Sequence, residues 1–180
     1  DNGIRIRASR DIGLLYGTYE LLRYQQTNSL DHLSSKLNAP QFTLRILNHW
    51  DNLDGSIERG YAGKSIWKWD VIPVKSKGSK TKVSSQLSTF NAQLTEYARA
   101  NASIGINGTV INNVNASPKI LTDVYINKVK YIADALRPYG IKVYLSINFA
   151  SPITLGGLKT ADPLNKKVRE WWQKKTDEIY

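Results

Sequence analysis

The amino-acid sequence predicts an α/β fold built on a parallel sheet. Two observations carry this. From about residue 42, segments of strand character alternate with segments whose apolar residues recur at helical spacing, in the order strand, helix, strand, helix, strand, helix. The strand-like run 104–114, Ile-Gly-Ile-Asn-Gly-Thr-Val-Ile-Asn-Asn-Val, is apolar without strict alternation, as suits a strand covered on both faces. Strands joined through helices lie parallel, because the crossover returns the chain to the same end of the sheet.

Residues 3–8, Gly-Ile-Arg-Ile-Arg-Ala, alternate apolar and basic, the pattern of a half-exposed strand. Ser9 or Asp11 suits a helix cap. Ile12, Leu14, Leu15, Tyr19, Leu22 and Tyr24 then fall near helical spacing, so 11–26 reads as an amphipathic helix. Gly17 within it costs about 1 kcal/mol against Ala and suggests close packing. Residues 28–40 form a polar connection with one short apolar element. Residues 42–50, Phe-Thr-Leu-Arg-Ile-Leu-Asn-His-Trp, are the next strand, and Asp-Asn-Leu-Asp-Gly-Ser after it is rich in turn formers.

Residues 87–102 are helical in period through Leu87, Phe90, Leu94, Tyr97 and Ala98. After the 104–114 strand, Ser117-Pro118 places Ser at N-cap and Pro at N1. The buried stripe of that helix is Ile120, Leu121, Val124, Val129, Ile132, Ala133 and Leu136, and Pro138 with Gly140 stops it. Residues 141–149, Ile-Lys-Val-Tyr-Leu-Ser-Ile-Asn-Phe, are the third strand of the repeat. Asp162-Pro163 repeats the cap signal before a helix opened by Val168, Trp171 and Trp172. Neither the Gly-x-Gly-x-x-Gly of a dinucleotide fold nor a P-loop follows the first of these strands.

Composition narrows the chemistry. With no cysteine among 180 residues there is no disulfide, thiolate metal site or cysteine nucleophile. Two histidines, His32 and His49, are too few for a multi-histidine metal centre, and no cofactor or metal site is expected. No apolar run reaches the roughly 18 to 20 residues of a membrane span, and no membrane partner is expected. The absence of Met, with Asp1 first, leads us to expect an excised piece of a longer chain, whose compartment the sequence leaves open. Half of the net charge of +10 lies in 64–82, where six lysines face one acid, Asp70. Aromatic residues flank this run at Trp67 and Trp69 but none is interleaved with its centre. It therefore reads as a solvated loop rather than a nucleic-acid site, and no nucleic-acid partner is expected.

Asparagine recurs where these strands end. The first closes with Asn48, His49, Trp50 and Asp51, the second with Asn112, Asn113 and Asn115, the third with Ser146 and Asn148. Asn is a poor strand residue. In a parallel barrel the carboxyl ends of the strands line one mouth, where active sites are built. Amides both donate to and accept from sugar hydroxyls, and a Trp face suits the C–H face of a sugar ring. The competing reading is that each Asn serves turn geometry. Three sequons, at Asn101, Asn107 and Asn115, read as chance, because Asn107 falls inside a strand expected to be buried.

The segment Arg-Ile-Leu-Asn-His-Trp-Asp-Asn-Leu-Asp-Gly-Ser-Ile-Glu-Arg-Gly-Tyr-Ala-Gly at 45–63 resembles the α-glucuronidases of glycoside hydrolase family 67. The resemblance continues through 97–116, 137–152 and 155–163, and it covers most of the chain. It implies that residues 1–40 close an N-terminal α/β domain with a strand and helix. Residues 41–180 would open a (β/α)8 TIM barrel, cut after three βα units, with a Lys-rich insertion at about 71–86. It implies removal of α-1,2-linked 4-O-methylglucuronic acid from xylan-derived oligosaccharides, with inversion. Such inversion uses two carboxyl groups roughly 6.5 to 9.5 Å apart. In the family these stand on later strands, so no catalytic residue maps here and the fragment alone is expected to be inactive. The implied partners are a glucuronoxylan oligosaccharide, the remainder of the barrel and, for the parent, a homodimer.

Matching positions place Trp50 beside the uronate and Val114 against the O-methyl group. Further candidate contacts are His49, Glu58, Arg59, Asn112, Asn113 and Asn148, with Lys159 a weaker one. Each has a plainer reading. Trp50 and Val114 would be core, Glu58–Arg59 an ion pair ordering its loop, Asp54-Gly55 a turn, and His49 a hydrogen-bonded support. A carbohydrate-binding module without catalysis is the competing function.

Overall fold

The computed structural model describes residues 3–33, 38–74, 84–112 and 116–180. Three short strands, β1 (Ile46–Asn48), β2 (Gly108–Val110) and β3 (Lys142–Tyr144), form one sheet in the order β1-β2-β3. All pairings are parallel, with Ile46 opposite Gly108 and Gly108 opposite Lys142. Among the described residues five α-helices accompany them: α1 (Asp11–Gln26), α2 (Ser85–Ser103), α3 (Asp123–Leu136), α4 (Ser151–Thr154) and α5 (Lys166–Ile179). The expected βα alternation is present, with strands shorter than their apolar runs.

Period-2 alternation and the shared register sort the side chains. Leu47, Thr109 and Val143 face one side of the sheet. There α2 and α3 pack, and Leu87, Phe90, Leu94, Ile111, Ile132, Leu136 and Ile141 form a core with Trp67 and Trp69. Ile46, Asn48, Val110 and Tyr144 face the other side. No helix of the described residues covers that face at β1, where Phe42 is 66% exposed, Leu44 61% and Ile46 36%. Parallel sheets ordinarily bury both faces.

Several local expectations change. Residues 3–8 form no strand, because no other described strand pairs with them. Ile6 and Ala8 pack against α1 at Gly17 and Gly13 instead. A Cβ on Gly17 would come within 2.6 Å of Ile6 Cγ2, which is the close packing that Gly17 predicts. Neither Ser9 nor Asp11 caps α1; Arg10 occupies N-cap without a side-chain bond. Ser117-Pro118 starts a short 3-10 turn, Pro118–Leu121, before Thr122 introduces α3. Val124 is exposed on the first turn of α3, off the buried stripe. The last helix begins later than Asp162-Pro163. The Asp162 carboxylate accepts from Leu164 N–H in a turn, and Asn165 caps α5 through Lys167 N–H. Residues 75–83, the centre of the Lys-rich run, lie outside the described residues.

Candidate functional site

The carboxyl end of β1 leads into a tightly folded loop. Trp50 O accepts from Glu58 N–H at 2.8 Å, and Asn52 N–H donates to Ser56 O at 2.9 Å. The Asn52 amide donates to Ser56 Oγ and to Glu58 O. Asp54 Oδ1 accepts from Ser56 N–H at 2.9 Å and Ser56 Oγ at 2.6 Å, while Gly55 takes φ +85. Asp54-Gly55 is therefore turn chemistry, and those bonds hold the Asp54 carboxyl below the ordinary aspartate range. Glu58 itself sits at φ +56, a left-handed conformation unusual for a residue with a side chain.

This loop presents Trp50 44% exposed, on the opposite side of the chain from His49. His49 turns toward the helices, where its Nε2 lies 2.8 Å from Tyr97 Oη. Tyr97 Oη lies 2.8 Å from Thr109 Oγ1 on β2. On the other edge of the imidazole, Nδ1 stands 3.7 Å from Asp51 Oδ2. Trp67 packs edge-on to both rings, at centroid distances of 5.2 Å from His49 and 5.3 Å from Tyr97. Burial lowers the His49 pKa below its usual value, with the Asp51 charge opposing the shift. Burial likewise raises Tyr97, against the stabilising hydrogen bond from Thr109.

The asparagines at the strand ends are accounted for differently. Asn112 is 2% exposed, and its amide exchanges two hydrogen bonds with the Ser146 backbone beyond β3. It extends the β2–β3 pairing by one peptide-like unit, using one donor and one acceptor site of the amide. Asn107, just before β2, does the same toward β1. Its Oδ1 accepts from Arg45 N–H and its Nδ2 donates to Thr43 O. The Asn148 side chain accepts from Ala150 N–H at the start of α4. Asn113 and Val114 lie outside the described residues. Glu58 is partly buried and Arg59 exposed, and no ion pair joins them among the described residues. Lys159 is exposed.

The structure thus brings His49 and Trp50 to one strand end but separates them by face. Sequence reasoning missed Tyr97 and Thr109 as partners of His49. Tyr97 was legible only as one more residue of an apolar helix stripe. A cleft of about 640 Å3 also opens within the loop, lined by Asp54, Ser56, Lys64, Trp67 and Trp69 among others, apart from Trp50.

The described residues form an α/β chain with polar and aromatic groups gathered at the carboxyl ends of its parallel strands. The family model described as the Glycosyl hydrolase family 67 middle domain matches residues 23–180, and the chain belongs to this family. It is 42% identical over 181 residues to the probable alpha-glucuronidase A of Aspergillus clavatus, covering 100% of this chain and 20% of that protein. It is 42% identical over 182 residues to alpha-glucuronidase A of Emericella nidulans, covering 98% and 20%. For alpha-glucuronidase A of Aspergillus tubingensis the identity is 42% over 177 residues, covering 98% and 19%. The chain therefore spans about a fifth of the length of the curated relatives it matches.

Proposed function

We propose that this chain is part of an α-glucuronidase and contributes one wall of its sugar pocket. The observation that carries this is the 42% identity over the whole chain to proteins of that name, in a family whose middle domain it matches. The uncovered face of the sheet supports a larger parallel structure. Phe42, Leu44 and Ile46 are apolar and open, as expected of strands that would line the inside of a (β/α)8 barrel completed by further βα units. Residues 41–180 are then its first three units and residues 1–40 the end of a preceding α/β domain.

The substrate is an α-1,2-linked (4-O-methyl)glucuronic acid on a xylo-oligosaccharide, released with inversion. Trp50 offers its indole face to the sugar ring, and its exposure at a strand end supports that role. Glu58, Arg59, Asn113 and Asn148 are polar contacts around it, and Val114 faces the O-methyl group. The acid and base come from later strands. In support, Asp51 is 3% exposed behind β1, and Asp54 is held by Ser56 in a turn. Neither is free to act as one of two facing carboxyls.

The test compares the 180-residue chain with the full-length enzyme containing it. Only the longer chain is expected to release methylglucuronate from an aldouronic acid. Release by the 180-residue chain would sink the assignment of acid and base to later strands. Calorimetry on the shorter chain addresses the module reading. Trp50-dependent heat at millimolar aldouronic acid would favour a binding wall that works by itself.

A further inference from the structure

Behind Trp50, on the helix side of the sheet, runs a largely buried chain of polar groups that the proposed sugar contact does not use. It joins the end of β1 (His49, Asp51), α2 (Tyr97) and β2 (Thr109). Thr109 is 0% exposed and Asp51 3%. Trp67, 1% exposed, closes it on one side.

The direction of the bonds follows from the charge of Asp51. Its Oδ2 stands 3.7 Å from Nδ1, beyond hydrogen-bond length, and at that distance the carboxylate's negative charge favours the proton on the nitrogen nearer to it, Nδ1. Nε2 is then a bare lone pair, and Tyr97 must donate to it. Tyr97 has one proton, so its oxygen accepts from the Thr109 hydroxyl. The polarity runs from Thr109 through Tyr97 and His49 to Asp51. The reverse order, with Nε2–H donating to Tyr97 and Tyr97 to Thr109, would make the same contacts, and the Asp51 charge beside Nδ1 is what favours the first order.

We propose that Tyr97 is a positioning residue: by donating to Nε2 it holds His49 as the Nδ1–H tautomer and pins the end of β1, which keeps the Trp50 ring at the strand mouth. The part concerning Trp50 rests on the sugar-contact reading; the part concerning His49 does not.

Two measurements decide it. The first is nitrogen-15 NMR of histidine-labelled protein. The chain has only His32 and His49, and His32, exposed beside Asp31, gives the one other imidazole signal to be assigned. His49 is expected to show a protonated Nδ1 and an unprotonated Nε2. Tyr97→Phe should replace this by a tautomer mixture, whereas Thr109→Val, which leaves the Tyr97 donor in place, should not. The second is kinetics of the full-length enzyme. Tyr97→Phe should raise KM about five- to tenfold, the loss expected of one buried hydrogen bond, with kcat within about twofold. A proton found on Nε2 of wild-type His49 overturns the proposal without any variant. So does a Tyr97→Phe protein with unchanged tautomer and unchanged KM. A Trp50→Ala enzyme with unchanged KM would remove the sugar-contact reading, while the NMR result still decides the His49 chain because it needs no substrate.

Discussion

Asn112 pairs with Ser146 as one peptide group pairs with another. Its Nδ2 donates to the Ser146 carbonyl at 2.7 Å, and its Oδ1 accepts from the Ser146 N–H at 2.9 Å. The side chain thereby continues the ladder after β2 and β3 have ended. Asn112→Asp keeps the shape, removes the donor and puts a carboxylate where only 2% of the residue is exposed. We expect a loss of about 3 kcal/mol, from an orphaned carbonyl and a buried charge. Urea unfolding should show a lower midpoint with an unchanged slope. An unmoved midpoint would mean that the pair does not hold the sheet.

Gly156 is required by contact rather than by backbone conformation. A Cβ there would stand 2.6 Å from the Pro152 carbonyl oxygen and 2.5 Å from Trp171 Nε1. The carbonyl belongs to α4 and cannot swing away as a side chain would. Gly156→Ala should cost about 2–3 kcal/mol by overpacking the α4–α5 contact. Gly157, next to it, has open space but φ +66, so Gly157→Ala should cost about 1 kcal/mol, from strain alone. Thermal melts of the two variants separate the causes, and equal effects would contradict this account of Gly156.

Trp50 should matter for ligand and little for folding. Being 44% exposed, it contributes less to the core than Trp67, which is 1% exposed. Trp50→Ala should weaken aldouronic acid binding by about tenfold to a hundredfold, the loss of a stacked aromatic face. Its melting temperature should stay within a few degrees of wild type. Calorimetry and a thermal scan on the same sample check both halves, and a large drop in melting temperature would recast Trp50 as core.

Stability should depend on pH through His49 and Tyr97. His49 has a folded pKa below 6.5, chiefly from burial. Below that value the unfolded chain binds the proton more readily, so stability is full above pH 6.5 and falls as pH drops toward the folded pKa. Tyr97 is raised above 10, again chiefly by burial. Its contribution is full below pH 10 and falls as pH rises toward its folded pKa. Denaturation midpoints of wild type and His49→Gln across pH 5 to 8 check the first, since the acid-side difference between them should shrink as pH falls. A difference independent of pH would exclude His49 as its source.

Much of the local structure was readable because it rests on local physics. The α1 span, Asp11–Gln26, follows from its apolar period alone. Asp54-Gly55 was legible as a turn, because a short carboxylate followed by a Gly free to take φ +85 is sufficient. The 3–8 strand failed for the opposite reason. Alternation marks a chain able to be a strand, but a ladder needs a neighbour, and here those residues meet α1. The Asn recurrence was visible too, yet its meaning was not. Asn107 and Asn112 bridge to other strands across 64 and 34 positions of sequence, and no local pattern announces such a partner.

By itself the sequence determined the alternation of strands and helices, and the family. Those depend on neighbours along the chain and on residue type. Only the tertiary structure decided that Trp50 is open to solvent, that Tyr97 and Thr109 complete the surroundings of His49, and that Asn112 bonds to the chain beyond β3. The physical reason is that a buried hydrogen bond takes its partner from whichever element packing brings within about 3 Å, and packing joins segments that are distant in sequence.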